Sequence, residues 1–108
     1  MSTTHWLDAA VLAGGTLKIT CAWYDDDGSA VTPDTMTYTL READTRAIVN
    51  SRDGVSISSL STSNDIVLSG DDLTEGNKKL FLDGTYTSGA GAGLPFRAVV
   101  AFLVRPFE

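Results

Sequence analysis

Thr16-Leu-Lys-Ile-Thr-Cys-Ala-Trp23 alternates without a break. Leu17, Ile19, Cys21 and Trp23 fall on one face of an extended chain, and Lys18, Thr20 and Ala22 on the other. That period of two predicts a half-buried β-strand, because successive strand side chains point to opposite faces. Asp25-Asp-Asp-Gly28 ends it as a turn, with Gly28 free to take positive φ.

The same signal recurs downstream. Met36, Tyr38 and Leu40 alternate inward, Ala47–Val49 reads as a short strand, and Val55–Ser58 and Ile66–Leu68 follow. Pro33 keeps Ser29–Pro33 out of a central strand, since it cannot donate to a ladder. Ser69–Gly76 reads as a loop with one helical turn, capped by Ser69 or Asp71. Lys79–Thr87 is a longer strand, the Gly-rich Ser88–Pro95 a flexible loop, and Phe96–Phe107 the last strand. Short strands with turns at regular intervals, and no long helical stripe, predict an all-β sandwich of about seven strands over residues 16–108. The expected core is Leu17, Ile19, Trp23, Tyr38, Leu40, Leu68, Leu82, Val100 and Phe102.

Residues 1–15 read as an N-terminal arm. Trp6, Ala9, Ala10 and Ala13 lie at helical spacing, so a short helical segment fits, and so does an extended arm hinged at Gly14-Gly15. No basic residue precedes Lys18 and Asp8 interrupts the apolar stretch, which argues against a secretory signal and for a protein made in the cytoplasm.

The 108 residues make one domain, and 43% hydrophobic with 20% charged residues is ordinary for a globular chain. A net charge of −6 argues against nucleic acid and anionic membranes as partners. One Cys forbids an internal disulfide, and one His forbids a His-pair metal centre. No metal or other cofactor is expected. Asp25–Asp27 fails as a calcium loop: with Gly28 at the sixth position, Trp23 occupies the first and Asp34 the twelfth. Asp71-Asp72 are adjacent in one loop and cannot oppose each other across a cleft. His5 lies in the arm, no G-x-S-x-G occurs, and Gly89–Gly93 lacks the Lys-Ser/Thr of a phosphate loop. These readings predict no enzyme and no catalytic residue.

The last strand breaks the alternation. Ala98, Val100, Phe102 and Val104 form one apolar face, and Val99, Ala101 and Leu103 form another. A half-buried strand should be polar on one side. Either the arm covers the second face or another subunit does. Trp6 and Leu7 of the arm, with Val99 and Leu103, are therefore the candidate interface residues.

Trp23–Pro33, Thr37–Leu40, Ile48–Arg52, Ile66–Leu73 and Asp83–Tyr86 resemble small immunoglobulin-like or fibronectin-like proteins of tailed bacteriophages and prophages. The resemblance spans roughly residues 16–104 and lacks the immunoglobulin Cys pair. It implies an immunoglobulin-like sandwich without a disulfide and supplies no catalytic residues. It also implies a structural or accessory virion protein, in head decoration, at the head–tail junction or on the tail. Its partners would be other virion proteins, or copies of itself, and its location the virion after synthesis in the bacterial cytoplasm. The alternative is a glycan-binding or adhesion module, with Tyr24 and Tyr86 as candidate aromatics.

Overall fold

A computed structural model of the chain describes the backbone of residues 2–6 and all atoms of residues 11–107. The chain is all-β. Among the described residues eight strands form: β1 (Ser2–Trp6), β2 (Val11–Leu12), β3 (Thr16–Ala22), β4 (Thr35–Glu42), β5 (Val55–Ser56), β6 (Ser63–Ser69), β7 (Gly76–Ser88) and β8 (Gly91–Arg105). One 3-10 turn, Gly70–Asp72, joins β6 to the loop before β7.

The larger sheet has the order β1-β8-β7-β4-β5, with β2 also on β8; the smaller pairs β3 with β6. β1 and β2 run parallel to β8, whereas the other pairs are antiparallel. One hydrophobic cluster draws on both sheets. Ile19, Ile66 and Leu68 come from the smaller, and Leu40, Leu80, Val100 and Phe102 from the larger. Trp23, directly after β3, is buried; its ring meets Phe96 edge-on at 5.6 Å and its Nε1 donates to Asn64 Oδ1 at 2.9 Å. An edge-on aromatic pair with its N–H partnered is how a buried Trp satisfies both halves of its chemistry. Every residue expected in the core is buried except Leu17, which is half-buried against the cluster.

Two expectations change. Ser88–Pro95 is not a loop: Gly91 starts β8, and Pro95 pairs opposite Thr85. Gly91 (φ 150°) and Gly93 (φ 64°) supply the backbone angles that side chains disfavour, and Pro95 lies before Arg97, where the described β1–β8 register begins. Ala47–Val49 is not a strand; Ile48 makes one bridge to Arg41. Of the two readings left open for the arm, helical or extended, its described backbone takes the extended one. Ser2–Trp6 registers against Arg97–Ala101, and Val11-Leu12 against Val104-Arg105. Val11 belongs to the core, so the segment before Thr16 contributes to the hydrophobic interior.

Candidate interaction surface

The alternation of β7 and β8 sorts their side chains between core and exterior. Leu80, Leu82 and Tyr86 of β7 face inward, as do Phe96, Ala98, Val100, Phe102 and Val104 of β8. The intervening residues form the outer face. There Phe81 registers with Val99, Lys79 with Ala101, Asn77 with Leu103, and Asp83 with Arg97. Phe81 is 36% exposed and Leu103 39%, Val99 is half-buried, and Ala101 is fully buried between them.

The surroundings of this apolar strip are cationic. Arg41, Lys79, Arg97 and Arg105 all occupy outward positions of the same sheet. Asp83 is the one outward carboxylate in the β4–β7–β8 registers, and Arg97 Nε approaches it at 3.4 Å. Half of the chain's eight Lys and Arg residues thus stand on one face of a protein of net charge −6. An apolar centre with a charged rim is the anatomy of a protein-binding patch.

Of the residues singled out from sequence, Val99 and Leu103 stand on this face. Trp6 belongs to β1, its backbone in register with Ala101 at the sheet edge. Leu7 lies outside the described residues. Phe81 was missed, although its place between inward Leu80 and Leu82 marks it as outward. The cationic rim was missed because its four members are far apart in sequence.

The other candidates resolve as structure. Asp25 Oδ1 accepts the N–H groups of Asp27 (2.9 Å) and Ser29 (3.0 Å), closing the turn. Asp26 Oδ1 accepts from Ser88 Oγ at 2.7 Å and Tyr86 Oη at 3.4 Å, tying that turn to β7. The Ser88 hydrogen bond leads in holding the Asp26 carboxyl below its usual range. Tyr86, one of the two glycan-stacking candidates, is buried edge-on against Phe96, and its hydroxyl is pushed up by burial and the Asp25–Asp27 charges. It presents no ring face to a sugar; Tyr24 alone is exposed.

Asp72 is buried and accepts from Arg52 Nε at 2.8 Å, Asn50 Nδ2 at 2.8 Å and the Ser69 N–H at 3.1 Å. It anchors the loop after β4 to the 3-10 turn. Burial followed by the Asp65 charge pushes the Cys21 thiol up to about 11, which suits an inert side chain. Among the described residues, no three His, Cys, Asp or Glu side chains group as a metal site. Compared with protein-family models, curated proteins and solved structures, the chain matches none of them.

Proposed function

We propose that the chain is an immunoglobulin-like sandwich whose work is non-enzymatic protein–protein contact, made through the outer face of β7 and β8. The observation that carries this reading is the apolar strip of Phe81, Val99 and Leu103 inside the rim of Arg41, Lys79, Arg97 and Arg105. Such a rim selects a partner surface that is apolar at its centre and carries carboxylates around it.

The connectivity supports the finer fold assignment. In an immunoglobulin-like sandwich the second and fifth strands pair in one sheet, while the third, sixth and seventh form the other. Here β3 and β6 pair, β4, β7 and β8 pair in the other sheet, and β5 flanks β4 as the additional strand of variable-type domains does. β1 and β2 lie along one edge of β8, and counted as a single interrupted strand they bring the total to seven. Two features depart from the immunoglobulin pattern: the buried Trp23 follows β3 instead of lying on the third strand, and no disulfide joins the sheets.

The accessory virion role rests on the resemblance of residues 16–104 to tailed-phage proteins, and the contact face is what such a role requires. Mass spectrometry of purified particles tests both parts. The wild-type chain is expected in stoichiometric copies. A Phe81→Ser/Leu103→Ser chain is expected to fold and yet be missing from the particles. Particles that lack the wild-type chain would end the virion reading. Incorporation of the double variant at wild-type level would end the assignment of the surface.

A further inference from the structure

The smaller sheet holds a second, independent interaction element, the outer edge of β3. Trp23 N–H donates to Thr62 O and Gly70 N–H to Gly15 O. Both bonds fit the β3–β6 register, in which Leu17 faces Leu68 and Ile19 faces Ile66. Hydrogen-bonded and non-bonded pairs alternate along an antiparallel ladder. The odd-numbered residues of β3 therefore bond to β6, and the N–H and C=O groups of Thr16, Lys18, Thr20 and Ala22 point away from it. Among the described residues, nothing pairs with those backbone groups. The four residues are exposed, and the inward Leu17 and Cys21 beside this edge are only half-buried.

We propose that this edge pairs, antiparallel, with the β3 edge of a second copy of the chain. The strand is self-complementary about Ile19. That register sets Lys18 against Thr20 of the second copy and Thr16 against Ala22, the full set of free groups. On the inward face it sets Leu17 against Cys21 and Ile19 against Ile19, apolar on apolar. A two-residue slip that centres the pair on Lys18 would oppose two ammonium groups, which is unfavourable.

Charge favours the same register. Thr20 stands opposite Asp65 within its own sheet and donates to Asp65 Oδ1 at 2.7 Å. Lys18 of the second copy then lies two strand spacings from Asp65, about 9–10 Å between backbones. A Lys and an Asp side chain together span that distance, so each copy's Lys18 meets the other's Asp65. The short contact makes a weak, reversible dimer with a continuous four-stranded sheet, β6-β3-β3-β6. It uses neither Phe81 nor Leu103 and stands whether or not the outer face of β7 and β8 binds a partner.

Sedimentation equilibrium of the full chain, with cysteine cross-linking, tests the pairing. The wild type is expected to dimerise reversibly with concentration. Lys18→Pro removes an outward N–H and leaves the β3–β6 bonds intact, so it is expected to weaken the dimer by about tenfold or more while the protein stays folded. Lys18→Cys and Thr20→Cys chains, each also carrying Cys21→Ser, should form a covalent dimer on oxidation when mixed, and little when either is alone. The proposed register puts those positions at about 5.5 Å between Cα atoms, within disulfide range. A wild type that stays monomeric at its highest soluble concentration, or a mixture that cross-links no better than each chain alone, would overturn the proposal. Equal dimerisation by folded Lys18→Pro would do the same.

Discussion

Lys78 Nζ lies 2.7 Å from Glu42 Oε1, with the Lys78 side chain wholly buried and Glu42 still 30% exposed. The ammonium also donates to the Glu75 carbonyl at 3.2 Å. A desolvated cation is tolerated only while its partner stays, so the two residues are unequal in their mutational consequences. Glu42→Ala should cost about 3 kcal/mol, near the lower end for breaking a buried pair because Glu42 is partly solvated. Adding Lys78→Met should restore much of that loss, since an apolar side chain of similar length refills the site. Urea midpoints of the single and double variants measure the difference. A Glu42→Ala chain as stable as wild type would mean that the ammonium finds water.

Asp72 sets an acid-side limit on stability. Burial alone would raise its carboxyl pKa, but the hydrogen bonds from Arg52, Asn50 and the Ser69 N–H, with the Arg52 charge, outweigh that and lower it. A carboxyl whose pKa is lower folded than unfolded contributes stability above its unfolded value, near 3.9, and loses it as pH falls through the folded value. Asp72→Asn should therefore cost about 1–3 kcal/mol at neutral pH. The gap from wild type should narrow as pH drops below about 4. Urea melts at several pH values test this; a gap that is constant with pH would assign the effect to packing.

Among the described residues, Trp23 is the largest fully buried side chain, and it bridges the two sheets. Trp23→Ala should cost about 3–5 kcal/mol, as for other large-to-small changes in a core. Trp23→Phe keeps most of the volume and removes the donor to Asn64, so it should cost less. Denaturant midpoints would rank the three chains, and a Trp23→Ala midpoint equal to wild type would refute the central role of this ring.

Gly84 of β7 stands opposite Met36 of β4. A Cβ built there would stand 2.1 Å from the Thr35 carbonyl oxygen and 2.9 Å from Met36 Sδ. The oxygen belongs to the paired backbone and cannot swing aside. Gly84→Ala should destabilise by about 3 kcal/mol or more, beyond ordinary overpacking, read as a fall in melting temperature. A melt unchanged from wild type would show that the strands can separate locally without cost.

Much of the interior was legible in the sequence because its residues obey one period. The alternation of Ile19, Tyr38, Leu40, Leu68, Leu82, Val100 and Phe102 places them inside without reference to topology, and all are buried. What was hidden depends on partners distant in the chain. Lys78 shares the alternation of Leu80 and Leu82, yet a lysine reads as solvated until Glu42 is placed beside it. The Gly91–Pro95 stretch reads as a loop by composition, but its pairing of Leu94 with Tyr86 and Pro95 with Thr85 makes it strand. On the outer face of β7 and β8, Val99 and Leu103 stood out as apolar residues at outward positions. Phe81, Lys79 and Arg97 join them only once β7 and β8 are registered.

The segment before Thr16 was the least legible part, and removing it gives the sharpest prediction. Val11 is 5% exposed within the core. Ala13 N–H donates to Arg105 O at 2.8 Å and Gly14 N–H to Leu73 O at 3.0 Å. Full burial of a Val is worth about 1.5–3 kcal/mol and each backbone bond about 1 kcal/mol. Together these come to about 3.5–5 kcal/mol, close to the lower end of a small domain's stability, typically about 5–15 kcal/mol. A chain that starts at Thr16 should therefore be unfolded or marginal by circular dichroism. Val11→Ser in the intact chain should lose only the apolar share, with the sheet still formed. If the truncated chain instead melts cooperatively at the wild-type temperature, the segment contributes nothing to its own core and is free to bind another subunit. The two results cannot both hold, because Val11 cannot fill the core while its removal leaves stability unchanged.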